Sequence, residues 1–170
     1  MKNFQYAMTQ LKTQGQAVGA LVTGLTEDDA RWKPASETWS VLEVLNHLID
    51  EEIYDFKAHL DHILHTPDQP WPEIDPVGWV TQRQYNEQDL HESLARFETE
   101  REGSLNWLAK LPAPDWDAAV TDSRGTLSAG DMLASWLAHD LLHLRQIVEL
   151  RYQITMNTSR PYKIAYAGKW

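Results

Sequence analysis

The chain has 170 residues, of which 42% are hydrophobic and 24% charged, with eight Trp, no Cys and a formal net charge of −10. That is the length of one domain, able to bury roughly 70% of the surface its unfolded chain exposes, and the composition excludes a disordered or low-complexity chain. Acidity without a Lys/Arg cluster excludes DNA or another nucleic acid as partner, and the absence of Cys excludes a disulfide framework. No apolar run is long enough to span a membrane, and Met1 to Tyr6 lacks the start of a signal peptide, so a cytoplasmic protein is expected.

Apolar residues at Phe4, Ala7, Met8, Leu11, Val18, Leu21, Val22 and Leu25 predict an amphipathic helix over 4–25. Thr26 to Asp29 reads as a capped single turn, and Pro34 forces a loop. Ser40 and Glu43, three apart, predict a capped helix start. The helix runs through Leu45, Leu48, Ile49, Ile53, Phe56, Leu60, Ile63 and Leu64 until Pro67, Pro70, Pro72 and Pro76 stop it. This proline-rich stretch, with Trp71 and Trp79, is long enough to be a crossover or a lid, and a crossover is expected. A third helix is predicted from Tyr85 to Leu111, before Pro112. Ser128 with Asp131 opens a fourth, ending near Arg151 or Tyr152. Residues 153–170 form an aromatic C-terminal tail expected to pack on the bundle. No segment shows hairpin chemistry or an internal repeat. One all-α domain over 1–170, an antiparallel four-helix bundle, follows, a fold in which metal sites are built from side chains on facing helices.

His139 and His143 are four residues apart on the fourth helix, which stacks their imidazoles roughly 6 Å apart along one face. They belong to the row Met132, Trp136, His139, His143, Gln146, Leu150, apolar at both ends, and so point inward or into a cleft. Such a pair either finds hydrogen-bond partners without a metal or binds an ion, for which imidazole is a common ligand. His47, one turn into the apolar run of the second helix, could supply a third nitrogen. Three protein ligands leave an open position, as in a catalytic site.

The other histidines read differently. His59, His62 and His65, with Asp55, Lys57 and Asp61 around them, read as a solvated helix surface, and so does His91 beside Asp89 and Glu92. Glu51, one turn beyond His47, is a candidate acid/base, with an ordinary exposed acid beside Asp50 and Glu52 as the alternative. Asp140 points about 100° away from His139 and is not assumed to support it. Arg145 and Arg151 are candidate anion-binding groups, although the end of the helix also accounts for Arg151.

The run Trp39-Ser40-Val41-Leu42-Glu43-Val44-Leu45-Asn46-His47-Leu48, the later His139-Asp140-Leu141-Leu142-His143-Leu144-Arg145-Gln146-Ile147 and the ending Tyr166-Ala167-Gly168-Lys169-Trp170 together resemble the DinB/YfiT-like superfamily. The resemblance implies an up-down-down-up four-helix bundle and a divalent metal on a histidine triad, here His47, His139 and His143. The metal would be nickel or zinc first, then iron(II) or manganese(II). It also implies a small-molecule substrate, a homodimer, and a transferase using a low-molecular-weight thiol such as bacillithiol or mycothiol. The mycothiol-dependent isomerases of the superfamily carry a further C-terminal domain for which this sequence has no room. The ion would lower the pKa of a bound thiol, giving S-transfer, or of water, giving hydrolysis as the alternative. A non-catalytic metal-binding or interaction bundle is the third reading.

Overall fold

A computed structural model describes residues 3–123 and 125–168. Its helices are α1 (Phe4–Val22), α2 (Glu27–Arg31), α3 (Val41–Asp50), α4 (Phe56–His65), α5 (Pro76–Gln82), α6 (Leu90–Ala109) and α7 (Ala129–Thr158). A π-turn over Glu51–Asp55 joins α3 to α4 into one long rod. The expected starts are built as capping boxes. Ser40 Oγ accepts from the Glu43 amide at 3.1 Å while Glu43 accepts from the Ser40 amide at 2.8 Å, and Ser128 and Asp131 repeat the exchange at 3.0 and 3.1 Å.

The chain directions follow from two apolar clusters at opposite ends. One gathers the C-terminal half of α1 (Val18, Val22), the start of α3 (Val41, Leu45), the start of α6 (Leu90, Phe97) and the late part of α7 (Ile147, Leu150, Ile154). The other gathers the start of α1 (Ala7, Leu11), α4 (Leu60, Ile63), the end of α6 (Leu108) and the start of α7 (Leu133, Trp136). Thus α1 and α7 run one way, the α3–α4 rod and α6 the other, which is the up-down-down-up bundle. Because the rod and α6 are parallel, the chain must return the whole bundle length between them. The proline-rich stretch and α5 make that crossover.

Four boundaries differ from the sequence reading. Gly24, at φ 82, ends the first helix just after Val22. Tyr85–Glu87 is a separate 3-10 turn, entered through Gln84 at φ 50, so α6 begins only at Leu90 with Asp89 as its cap. Ala119–Asp122 and Gly125–Ser128 form an antiparallel hairpin, β1 and β2, where none was expected. Four-residue strands are too short to display a period. With no Gly and no Pro between Gly130 and Pro161, α7 continues to Thr158. Of the segment 153–170, residues 153–158 belong to α7 and Ile154 is buried in the core, whereas Tyr162 and Tyr166 are 81% and 103% exposed. Lys169 and Trp170 lie outside the described residues.

Candidate metal centre

Between the two apolar ends lies a polar layer, and the histidines stand in it. His47 comes from α3, whose ten residues are all buried, and His139 and His143 come from the facing stretch of α7. Their Nε2 atoms converge: His47 to His143 is 3.1 Å, His139 to His143 3.1 Å, and His47 to His139 3.4 Å. Among the described residues no other set of histidine and carboxylate side chains brings its ligand atoms together in this way.

A ring nitrogen carries one proton or one lone pair, directed one way in the ring plane, so three in a closed triangle cannot satisfy one another. A cation accepting all three lone pairs can. Tetrahedral zinc with Zn–N bonds of about 2.0–2.1 Å separates its nitrogens by about 3.3–3.4 Å, close to what the triad presents. The residues therefore fit a divalent ion. Burial, and then the neighbouring imidazoles, lowers His47 to about 3. Burial with His143 beside it lowers His139 to about 4, and burial lowers His143 as well. All three rings are neutral at pH 7 and offer lone pairs.

The rings are held from behind. His143 Nδ1 donates to Gln146 Oε1 at 2.8 Å, which leaves Nε2 free to bind. Trp39, next to the α3 cap, lies parallel to the His143 ring at 6.4 Å and 5.0 Å from His47, while Phe56 lies 4.9 Å from His139.

The alternative of an exposed acid at Glu51 does not hold. Asp50, Glu51 and Glu52 are 3%, 3% and 2% exposed. Helical steps of about 100° send them to different neighbours. Asp50 receives Arg83 at 2.7 Å and the Tyr85 hydroxyl. Glu52 receives Arg101 at 2.6 Å and the Trp136 indole N–H at 3.1 Å. Asp55, one turn on, pairs with His59 at 2.6 Å. Glu51 alone turns to the triad, with Oε1 at 3.6 Å from His47 Nδ1 and Oε2 at 4.0 Å from His139 Nε2. Its Oε1 has no hydrogen-bond partner. Burial first, then a hydrogen bond and negative charge from Asp55 and the charges of Asp50 and Glu52, push it up to about 9.

A sequence profile of the DinB superfamily matches residues 10–147. The chain belongs to the DinB superfamily. Among solved structures this DinB-superfamily chain is similar to YfiT from Bacillus subtilis, described as a probable metal-dependent hydrolase with an unusual four-helix bundle topology. The two are 15% identical over 91% of this chain and 89% of that one, with a TM-score of 0.78. At that identity the likeness establishes the fold. No curated protein matches the chain.

Other expectations are corrected. His59 and His62 are 1% and 6% exposed, not solvated, because the crossover folds back over α4 and lays Trp71 on them. His65 and His91 are exposed as expected. Arg151 is not at a helix end, since α7 runs on to Thr158, and Arg145 is exposed. Asp140 does not support His139. It takes Arg101 in a two-point bond at 2.6 and 2.9 Å. Arg101 was missed as a buried residue although its position marks it: Phe97, Arg101, Ser104 and Leu108 form one helical row, all buried.

Proposed function

We propose that this protein is a metal-dependent hydrolase in which His47, His139 and His143 hold one divalent ion and leave further coordination positions open. The closed triangle of three neutral Nε2 atoms carries this reading. The description of YfiT as a probable metal-dependent hydrolase supports it. An ion held there supplies Lewis-acid chemistry, polarising a carbonyl and acidifying water. Glu51 is the group placed to move protons, with Oε1 behind the His47 ring at Nδ1 and Oε2 4.0 Å from His139 Nε2. Protonated in the metal-free protein, it would lose that proton beside a bound cation and would then take one from attacking water and return it to the leaving group. Trp39 and Phe56 wall the rings and keep bulk water from them. Transfer to a low-molecular-weight thiol is the second reading, which the family resemblance raises. Hydrolysis is preferred because a thiol, with a pKa near 8.5, has less need than water of a carboxylate base.

The test is metal analysis of untagged protein followed by an ester and amide panel, with and without small thiols. One equivalent of metal and turnover without thiol are expected, and Glu51→Gln should lower kcat about 100-fold or more with metal content unchanged. Metal well below one equivalent would remove the reading. Turnover only with thiol would favour transfer, and bound metal without any turnover would favour a non-catalytic bundle.

A further inference from the structure

Beside the triad, towards the α4 end, the bundle opens into a cavity of about 430 Å³, within the range of small-molecule sites. Asp55 connects it to the centre. Its carboxyl is hydrogen-bonded with Glu51, which faces the triad, and its charge acts on His139. Met132 lines the cavity from the same face of α7 as His139, seven residues earlier or about 10.5 Å along the axis. No triad residue lines the cavity, and Asp55 is the side chain that links it to the proposed reaction site.

The lining joins apolar surface to negative charge. Trp71, Ile74 and Met132 supply the apolar walls, Asp55 and Glu73 supply two carboxylates, and there is no Lys or Arg. His59 adds no free nitrogen, because Nδ1 faces Asp55 at 2.6 Å and Nε2 faces the Pro72 carbonyl at 2.9 Å. Burial would raise Asp55, but the hydrogen bond from His59, and then that from Glu51, holds its carboxyl below the ordinary value. With Asp55 engaged, the exposed Glu73 is the unengaged charge at the rim. A carboxylate beside an indole is the pairing that selects an ammonium group over an anion. The chain's net charge of −10 likewise favours the approach of a cation.

We propose that this cavity binds an organic cation, its aryl or alkyl body against Trp71, Ile74 and Met132 and its protonated amine at Glu73. This rests on the hydrolase reading for its chemical meaning: the substrates are esters or amides bearing an ammonium group on an arm that reaches away from the scissile bond into the cavity.

Binding is tested on metal-free protein with benzylamine, protonated at neutral pH, against benzoate, followed by calorimetry and by the indole signal that Trp71→Phe removes. Benzylamine is expected to bind at least about tenfold tighter than benzoate and to perturb that signal. Glu73→Lys, on an exposed loop, should reverse the preference, and His143→Ala should leave it intact. Equal binding of the two probes, no binding of benzylamine, or a preference unmoved by Glu73→Lys would overturn the proposal. With metal restored, size-matched ammonium and carboxylate esters separate the two ideas. Benzylamine binding without turnover of any ester leaves the cavity assignment standing and removes the hydrolase.

Discussion

The molecule has two buried groups of histidines, and they have solved the burial of an imidazole in opposite ways. In the α4 group, each nitrogen of His59 meets an oxygen, and the ring is stacked on Trp71 at 4.3 Å. In the triad the Nε2 atoms meet only each other, and the Nδ1 atoms of His47 and His139 have no hydrogen-bond partner. A buried polar atom left without a partner costs about 1–3 kcal/mol. The first arrangement is complete in itself and serves to fasten the crossover. The second is completed only by a ligand. Burial of histidine is therefore no mark of a metal centre; ring nitrogens that converge on one another with no oxygen within hydrogen-bond distance are.

The contrast can be broken at its strongest point first. His143→Ala should weaken zinc binding more than about 100-fold, the upper range for changes just outside a metal's ligands, and should abolish the rise in Tm that zinc gives the parent protein. A chelator-treated parent melting at the temperature of the zinc-loaded one would contradict a ligand set that ties α3 to α7.

Acid comes next. His47 and His139 are depressed from 6.5 to about 3 and about 4 in the folded protein, so the unfolded chain binds more protons over that window. Their contribution to the stability of the metal-free protein is complete above pH 6.5 and is lost as pH falls from there towards 4 and 3, whereas Glu51, raised to about 9, contributes in the opposite sense, its share being lost as pH rises. Melts between pH 7.5 and 4.5 should show the fall, reduced in His47→Gln. A difference between the parent and His47→Gln that does not change with pH over this range would mean that the His47 ring is not held neutral.

On the other side of the comparison, His59→Ala loses two hydrogen bonds and the stack on Trp71, and should cost about 2–3 kcal/mol in urea unfolding while leaving metal content unchanged. Loss of metal in that variant would show that the two groups are not independent. His65, with its side chain 47% exposed, supplies the smallest effect: His65→Ala should stay within about 0.5 kcal/mol of the parent.

What could be read in the sequence was what helical period reports. The row from Met132 to Leu150 placed His139 and His143 inward, and the Ser40–Glu43 box placed His47 one turn deeper. Period also marked Arg101, but a charged residue on an apolar row is easily taken for an interruption. It stays buried because Glu52 and Asp140 reach it from two other helices. The misread histidines have a different cause. His59 and His62 lie among acids on a polar-looking face, and what covers them is Trp71, delivered by a proline-rich stretch whose path no local pattern encodes. The same holds for Asp50, Glu51 and Glu52. An acidic triplet looks solvated until Arg83, Arg101 and the triad arrive from distant segments.

The π-turn over Glu51–Asp55 sets how the two halves of the rod are phased. Each residue in a helix adds about 100° of rotation and 1.5 Å of length, and π-turns insert one residue beyond the α-helical count. Deleting a single residue from this turn would leave a regular helix but force a choice. Either Phe56, His59, Leu60 and Ile63 swing off the core, or α3 counter-rotates and takes His47 from the triad and Glu51 from its post. A change in the rod's residue count at this turn would separate binding from packing at once.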